Sequence, residues 1–154
     1  MLPHSWKSVV RFKPREFDDP QFPGSGIHID AHLVLLLDKL ALSTNYRIMT
    51  HWKIGGAIDM QGTHGHARKS YHRYDMGCRA CDFHMLDHDY QPLTINLREQ
   101  YIKICEAGFS CVIVYPWWKP YPGGFHADVR PRTIANHMYS PSYKEYTVLF
   151  PSTL

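Results

Sequence analysis

At 154 residues the chain is long enough for one domain with its own core and too short for two. Its 44% hydrophobic and 14% aromatic content is that of a folded globular protein, which excludes a disordered tail. The formal charge of +3 comes from scattered basic residues, so neither a nucleic-acid nor a membrane-binding surface is indicated, and no stretch approaches the length of an apolar membrane span.

In chain order, residues 14–26 (PREFDDPQFPGSG) read as an irregular N-terminal loop, with Phe12 and Phe17 anchored on the core. DAHLVLLLDKLALS follows as a helix, with Asp30 as N-cap and Leu33, Leu36, Leu37 and Leu40 on one face. Residues 45–52 (NYRIMTHW) have the content of a strand and lead into KIGGAIDMQGTHGHARK, too irregular for an element and suited to shaping a site. RACDFHM alternates as a strand. TINLREQYIKICEAG is a second helix, with Thr94 as N-cap, Leu97, Tyr101, Ile104 and Cys105 inward, and Gly108 at its end. Residues 110–116 (SCVIVYP) form an apolar strand, WWKPYPGG a stiff turn, FHADVRP a further strand, and EYTVLF a final one. This order predicts a single α+β domain with a small, mostly antiparallel sheet carrying helices on one face.

Histidine is abundant, at 11 residues, and it is both the commonest zinc ligand and a usual general base. His72, Asp82 and His126 lie in three segments that a sheet can bring together. Two neutral imidazoles and one carboxylate would leave a bound zinc ion with net positive charge and an open fourth position, the arrangement of catalytic zinc.

SYH, a glycine, ACDF, and later YPWWKPYPGGFHADVR resemble the zinc D-Ala-D-Ala carboxypeptidase and L-alanyl-D-glutamate endopeptidase family, which cuts peptidoglycan stem peptides and shares the hedgehog-type fold. FKPREFDDP is similar to the family's Phe-x-x-x-Glu-Phe opening, and FHADVRP to the His-x-Asp strand of a phage and bacterial branch. The likeness spans roughly residues 12–132, within the size of one domain. It implies zinc held by His72, Asp82 and His126, with Ser70 and Arg73 lining the substrate side. Two departures stand out. The family signature Ser-x-His-x-x-Gly-x-Ala-x-Asp places six residues between first His and Asp; here nine intervene, and Arg79 occupies the usual spacing. A loop can bulge by three residues without moving its ends. Relatives also carry a base two or three residues before the last ligand, where this chain has Gly124 and Gly123. Asp128, on the same side of its strand as His126, is then either the catalytic base or the partner that holds the His126 imidazole. His64 and His66 are further candidates for base or substrate contact.

Plainer readings stand beside these. His72 alone is an ordinary polar loop residue, Asp82 a solvated strand carboxylate, and Asp128 an ion-pair partner of Arg130 or Arg132. Cys78 and Cys81 form a CxxC with no second pair at zinc-finger spacing, so all four cysteines are expected to be reduced and mostly buried. His64 and His66 also fit a surface loop. Trp117, Trp118 and Tyr121 make either a groove wall or plain packing around the proline-rich turn. His84, His88 and His137 carry no assigned role.

The resemblance implies a zinc peptidase hydrolysing a peptidoglycan amide, with neither a nucleic-acid partner nor a membrane span. A phage endolysin or virion-associated wall hydrolase fits: made in the cytoplasm without a secretion signal, it would reach the wall after lysis or within a particle. The competing expectation is a non-catalytic structural or wall-binding protein on the same fold with a degenerate metal site.

Overall fold

The structure, a computed structural model, describes residues 4–115, 118, 123–131, 136–142 and 145–150. Helix α1 (Ala31–Thr44) starts at Asp30, whose carboxylate accepts from the Leu33 amide at 3.0 Å, and ends at Asn45 in the left-handed conformation. It buries Leu33, Val34, Leu37, Leu40 and Ala41, while Leu36, expected on the same face, is only partly buried. Asp38, also on this helix, is buried because its carboxylate accepts from the amides of Val10 and Arg11, tying the N-terminal segment down. Trp6 and Phe12 both pack, tilted, on the Phe17 ring, at 5.9 and 5.4 Å between ring centroids.

Strands β1 (Arg47–Thr50), β2 (Ala80–Leu86), β3 (Cys111–Tyr115), β4 (Gly124–Asp128), β5 (Asn136–Ser142) and β6 (Glu145–Phe150) form one sheet in the order β1-β2-β4-β3-β5-β6. Every pairing is antiparallel except β3 with β5. Helix α2 (Leu97–Glu106) connects β2 to β3, and the β3–β4 hairpin folds β4 back between β2 and β3. This α+β architecture, with two α-helices on a small, largely antiparallel sheet, is the one the element order predicts.

Alternation along the strands divides the molecule chemically. Cys81, Phe83 and Met85 of β2, Val112 and Val114 of β3, and Phe125 and Ala127 of β4 join one hydrophobic cluster with α1 and with Tyr101, Ile104 and Cys105 of α2. The residues between them, Asp82 and His84 on β2 and His126 and Asp128 on β4, therefore lie on the opposite face, and Asp82 pairs directly across from His126. One face builds the core and the other carries the titratable groups.

Several boundaries differ from expectation. Helix α2 begins at Leu97 with Asn96, not Thr94, as N-cap; the Asn96 side chain accepts from the Glu99 amide at 2.9 Å. Asparagine is an equally good cap, and the residue in reach of the third helical amide decides. Gly108, with φ of +110°, follows the last turn. Strand β5 is an addition, since NHMYSPS carries a proline and no clean alternation. Most of the WWKPYPGG turn, with Trp117 and Tyr121, and also Arg132, lies outside the described residues, and the His137 side chain is likewise not described. All four cysteines are free and buried. Among the described residues no helix is long and apolar enough to cross a membrane.

Candidate metal centre

The first candidate ligand comes from the loop between β1 and β2. That loop is pinned to β2 around Asp82: the His51 amide donates to the Asp82 carbonyl at 2.8 Å, and the Asp82 amide donates to the Gly56 carbonyl at 2.7 Å. Gly56 has to be glycine for this approach, because a Cβ there would sit 2.6 Å from the His51 Cβ and 3.2 Å from the Asp82 Cβ. Farther on, Asp59 and His72 are joined through the Asp59 amide and the His72 carbonyl at 3.0 Å. His72 is thus delivered to the sheet by backbone pairing rather than by a free loop.

The nine intervening residues are absorbed locally. The chain makes one 3-10 turn at Tyr74–Met76, reverses through Gly77 and Cys78 at positive φ, and closes on itself where the Cys78 amide donates to the Arg73 carbonyl at 3.1 Å. The Arg79 amide donates to the Tyr71 carbonyl at 2.7 Å across the neck. The extra residues bulge outward while His72 and Asp82 stay side by side.

His72 Nε2 lies 3.2 Å from Asp82 Oδ1 and 3.2 Å from His126 Nδ1, and His126 Nδ1 lies 3.1 Å from Asp82 Oδ1. Outer hydrogen bonds fix what these atoms present. His72 Nδ1 is 2.9 Å from the Ala57 carbonyl, which only accepts, so Nδ1 carries the proton and Nε2 offers a lone pair. His126 Nε2 donates to Asp128 Oδ2 at 2.7 Å, leaving its Nδ1 as the lone-pair atom. Two neutral imidazoles and a carboxylate would point three acceptors at one another, an arrangement relieved by a cation between them or by a proton on one imidazole. A tetrahedral ion with nitrogen and oxygen donors at about 2.0–2.1 Å keeps them roughly 3.3 Å apart, close to the separations here. The donor set and its spacing fit zinc.

Asp128 is fully buried and accepts from Arg130 as well, through Nε at 2.9 Å, Nη2 at 2.6 Å and the backbone amide at 3.1 Å. Burial opposes its charge, but hydrogen bonds from Arg130 and His126 hold its carboxyl well below the usual carboxylate range. A carboxylate so engaged is a weak base. Its position matches the carboxylate that orients a ligating histidine. Burial likewise opposes charge on Asp82, yet His72 and His126 hold it ionised.

For His126, burial disfavours the charged form, while the hydrogen bonds to Asp128 and Asp82 outweigh it and push the imidazole up to about 9. In the metal-free protein His126 thus carries the missing cation as a proton. The folded value lies above the ordinary 6.5, so this stabilisation is present below about 6.5 and fades as pH rises through about 9. A metal ion must displace that proton. Zinc uptake at pH 7 should release about one proton per chain and tighten as pH approaches 9, and calorimetry in buffers of different ionisation enthalpy checks the count; none released contradicts the assignment.

The three atoms face a cleft of about 560 Å³ whose walls include Lys69, Ser70, Tyr71, Ile113, Tyr115 and Trp118. Ser70 is among the residues lining the cleft, and its hydroxyl accepts from the His72 amide at 3.3 Å. Arg73 does not line the cleft: its guanidinium pairs with Asp75 at 3.0 Å along the bulge. Arg130, over the Tyr71 ring at 5.2 Å, and Lys69 supply the positive charge there instead.

Other groupings carry less. Asp19, Asp59 and His64 cluster closely, but both Asp19 oxygens already accept backbone amides, from Gln21 and Met60 at 2.8 Å each. Cys111 lies near His126 and Asp128, yet burial pushes its thiol up to about 12. Cys78, raised to about 12 mainly by burial, is equally inert. His51 and His84 form a short buried hydrogen bond between Nε2 and Nδ1, with Trp118 packed on His51 at 5.4 Å. His84 had no role in the sequence, although its position two residues after Asp82 already placed it on the same face. Asp59, which organises the loop around His66, gave no motif at all.

Comparison with protein-family models, with curated proteins and with solved structures gives no match.

Proposed function

We propose that this protein is a zinc-dependent peptidase acting on an amide bond of peptidoglycan stem peptides. The observation that carries the reading is the triangle of three lone-pair atoms, 3.1–3.2 Å apart, at the floor of an open cleft. His72, Asp82 and His126 hold the ion, Asp128 fixes the ligating tautomer of His126, and Lys69, Ser70, Tyr71 and Arg130 form the substrate wall. Zinc, when bound, supplies Lewis acidity toward the scissile carbonyl and lowers the pKa of its water. Three protein ligands facing solvent leave a position for that chemistry, whereas a structural site closes all four. The likeness of SYH, ACDF and FHADVR to peptidoglycan peptidases supplies the substrate class, and a phage lysis protein or virion-associated wall hydrolase is the setting that fits it.

A metal-holding but non-catalytic wall-binding protein is the second reading. Gly123 and Gly124 favour it, standing where the resembled family carries its base. Gly124 is committed to packing, since a Cβ there would lie 2.6 Å from Trp118 and 3.2 Å from His84. Metal analysis with loss of turbidity from purified cell walls separates the two. The peptidase reading expects zinc and turbidity loss together in the wild type and neither in His126→Ala; zinc without any bond cleavage contradicts it.

A further inference from the structure

The base that Gly123 and Gly124 cannot supply can come from another residue lining the cleft. His66 lies on its wall with its ring stacked on His72, 4.1 Å between centroids and 7° between planes. One ring nitrogen each of His66 and His72 and a carboxylate oxygen of Asp82 lie within 4.8 Å of one another. The ring is not loosely placed. His66 Nδ1 is 3.0 Å from Asp59 Oδ2, and Asp59 is fully buried, its carboxylate also accepting from the amides of Thr63 at 3.0 Å and His64 at 3.3 Å. The Asp59 backbone pairs with the His72 carbonyl and the Tyr74 amide, both at 3.0 Å. One residue thus fixes both the first candidate ligand and the histidine stacked on it. Because an ionised carboxylate only accepts, Nδ1 of His66 is the donor and Nε2 is left with its lone pair.

We infer that His66, oriented by Asp59, is a catalytic side chain of this site, whose Nε2 accepts the hydrogen of the water that attacks the substrate amide. This rests on the peptidase reading. As the water oxygen bonds to the carbonyl carbon, its proton passes to Nε2; as the C–N bond breaks, that proton goes to the departing amine nitrogen, and the imidazole returns to its starting form. His66 is not a fourth ligand. Its ring lies flat against the His72 ring, whose lone pair projects in its own plane, so the two cannot share one ion without unstacking.

The test combines wall hydrolysis by wild type, His66→Ala and His66→Gln with metal content and with nitrogen NMR of the imidazole tautomers. Expected are one zinc per chain in all three proteins, a visible spectrum of the cobalt-substituted protein unchanged by His66→Ala, and the Nδ1–H tautomer at His66 in the wild type. The rate constant falls about 10²–10⁴-fold in both variants with KM within threefold, and added imidazole restores part of the His66→Ala loss. Activity of His66→Ala within threefold of an active wild type overturns the inference alone, as does loss of zinc, an altered cobalt spectrum or the Nε2–H tautomer. A zinc-loaded wild type that cleaves no wall peptide overturns the peptidase reading and this inference with it.

Discussion

His126→Ala is expected to lower bound zinc from one per chain to under about a tenth and wall hydrolysis by at least about 10³-fold, while leaving the fold in place. Of the three assigned ligands, His126 is the one that β4 supplies. Without it one imidazole and one carboxylate remain, too few donors for tight binding. Asp128 keeps its pairing with Arg130, so the substitution strands no buried charge. Metal content after dialysis and a thermal melt check both halves. Retention of stoichiometric zinc would remove His126 from the site.

Asp128→Asn separates the two roles that the sequence left open for this residue. The side chain accepts from three donor groups on its two oxygens: His126, the Arg130 guanidinium and the Arg130 amide. Asparagine keeps one acceptor and turns a donor toward groups that are themselves donors. Breaking a buried ion pair in this way costs about 3–5 kcal/mol, which for a domain of this size is a fall in Tm of about 10 °C. Loss of the carboxylate behind a ligating histidine should also weaken zinc binding by about 10–100-fold. A base would behave differently. Unchanged Tm and zinc affinity with a large loss of rate would make Asp128 the proton acceptor and contradict its assignment as the residue that holds His126.

The alternating strands were the most legible part of the molecule. RACDFHM and FHADVRP show period-two patterns, and from that period alone Asp82, His84, His126 and Asp128 can be placed on their faces. What alternation cannot supply is register. Only the pairing of Asp82 opposite His126 brings two candidate ligands into contact. The bulge after His72 was readable as an excess of three residues, but its closure depends on the Cys78 to Arg73 and Arg79 to Tyr71 hydrogen bonds, which no residue pattern announces. Arg73, which the resemblance put on the substrate side, is not in the cleft lining, because the 3-10 turn beside it brings Asp75 within reach of its guanidinium. His66 and Asp59 were hidden more deeply. Seven residues apart in an irregular loop, they meet through a carboxylate collecting backbone amides, so the sequence offered His66, with His64, as a candidate for base or substrate contact but gave no sign of Asp59 behind it.

The donor atoms around bound zinc give the most direct test of the site. X-ray absorption at the zinc edge of the purified protein should show two imidazole nitrogens and light oxygen atoms at about 2.0–2.1 Å and no sulfur. Sulfur at about 2.3 Å would bring a cysteine into the site, Cys111 beside His126 being the one in reach, and a protein that holds no zinc at all would contradict the ligand set of His72, Asp82 and His126.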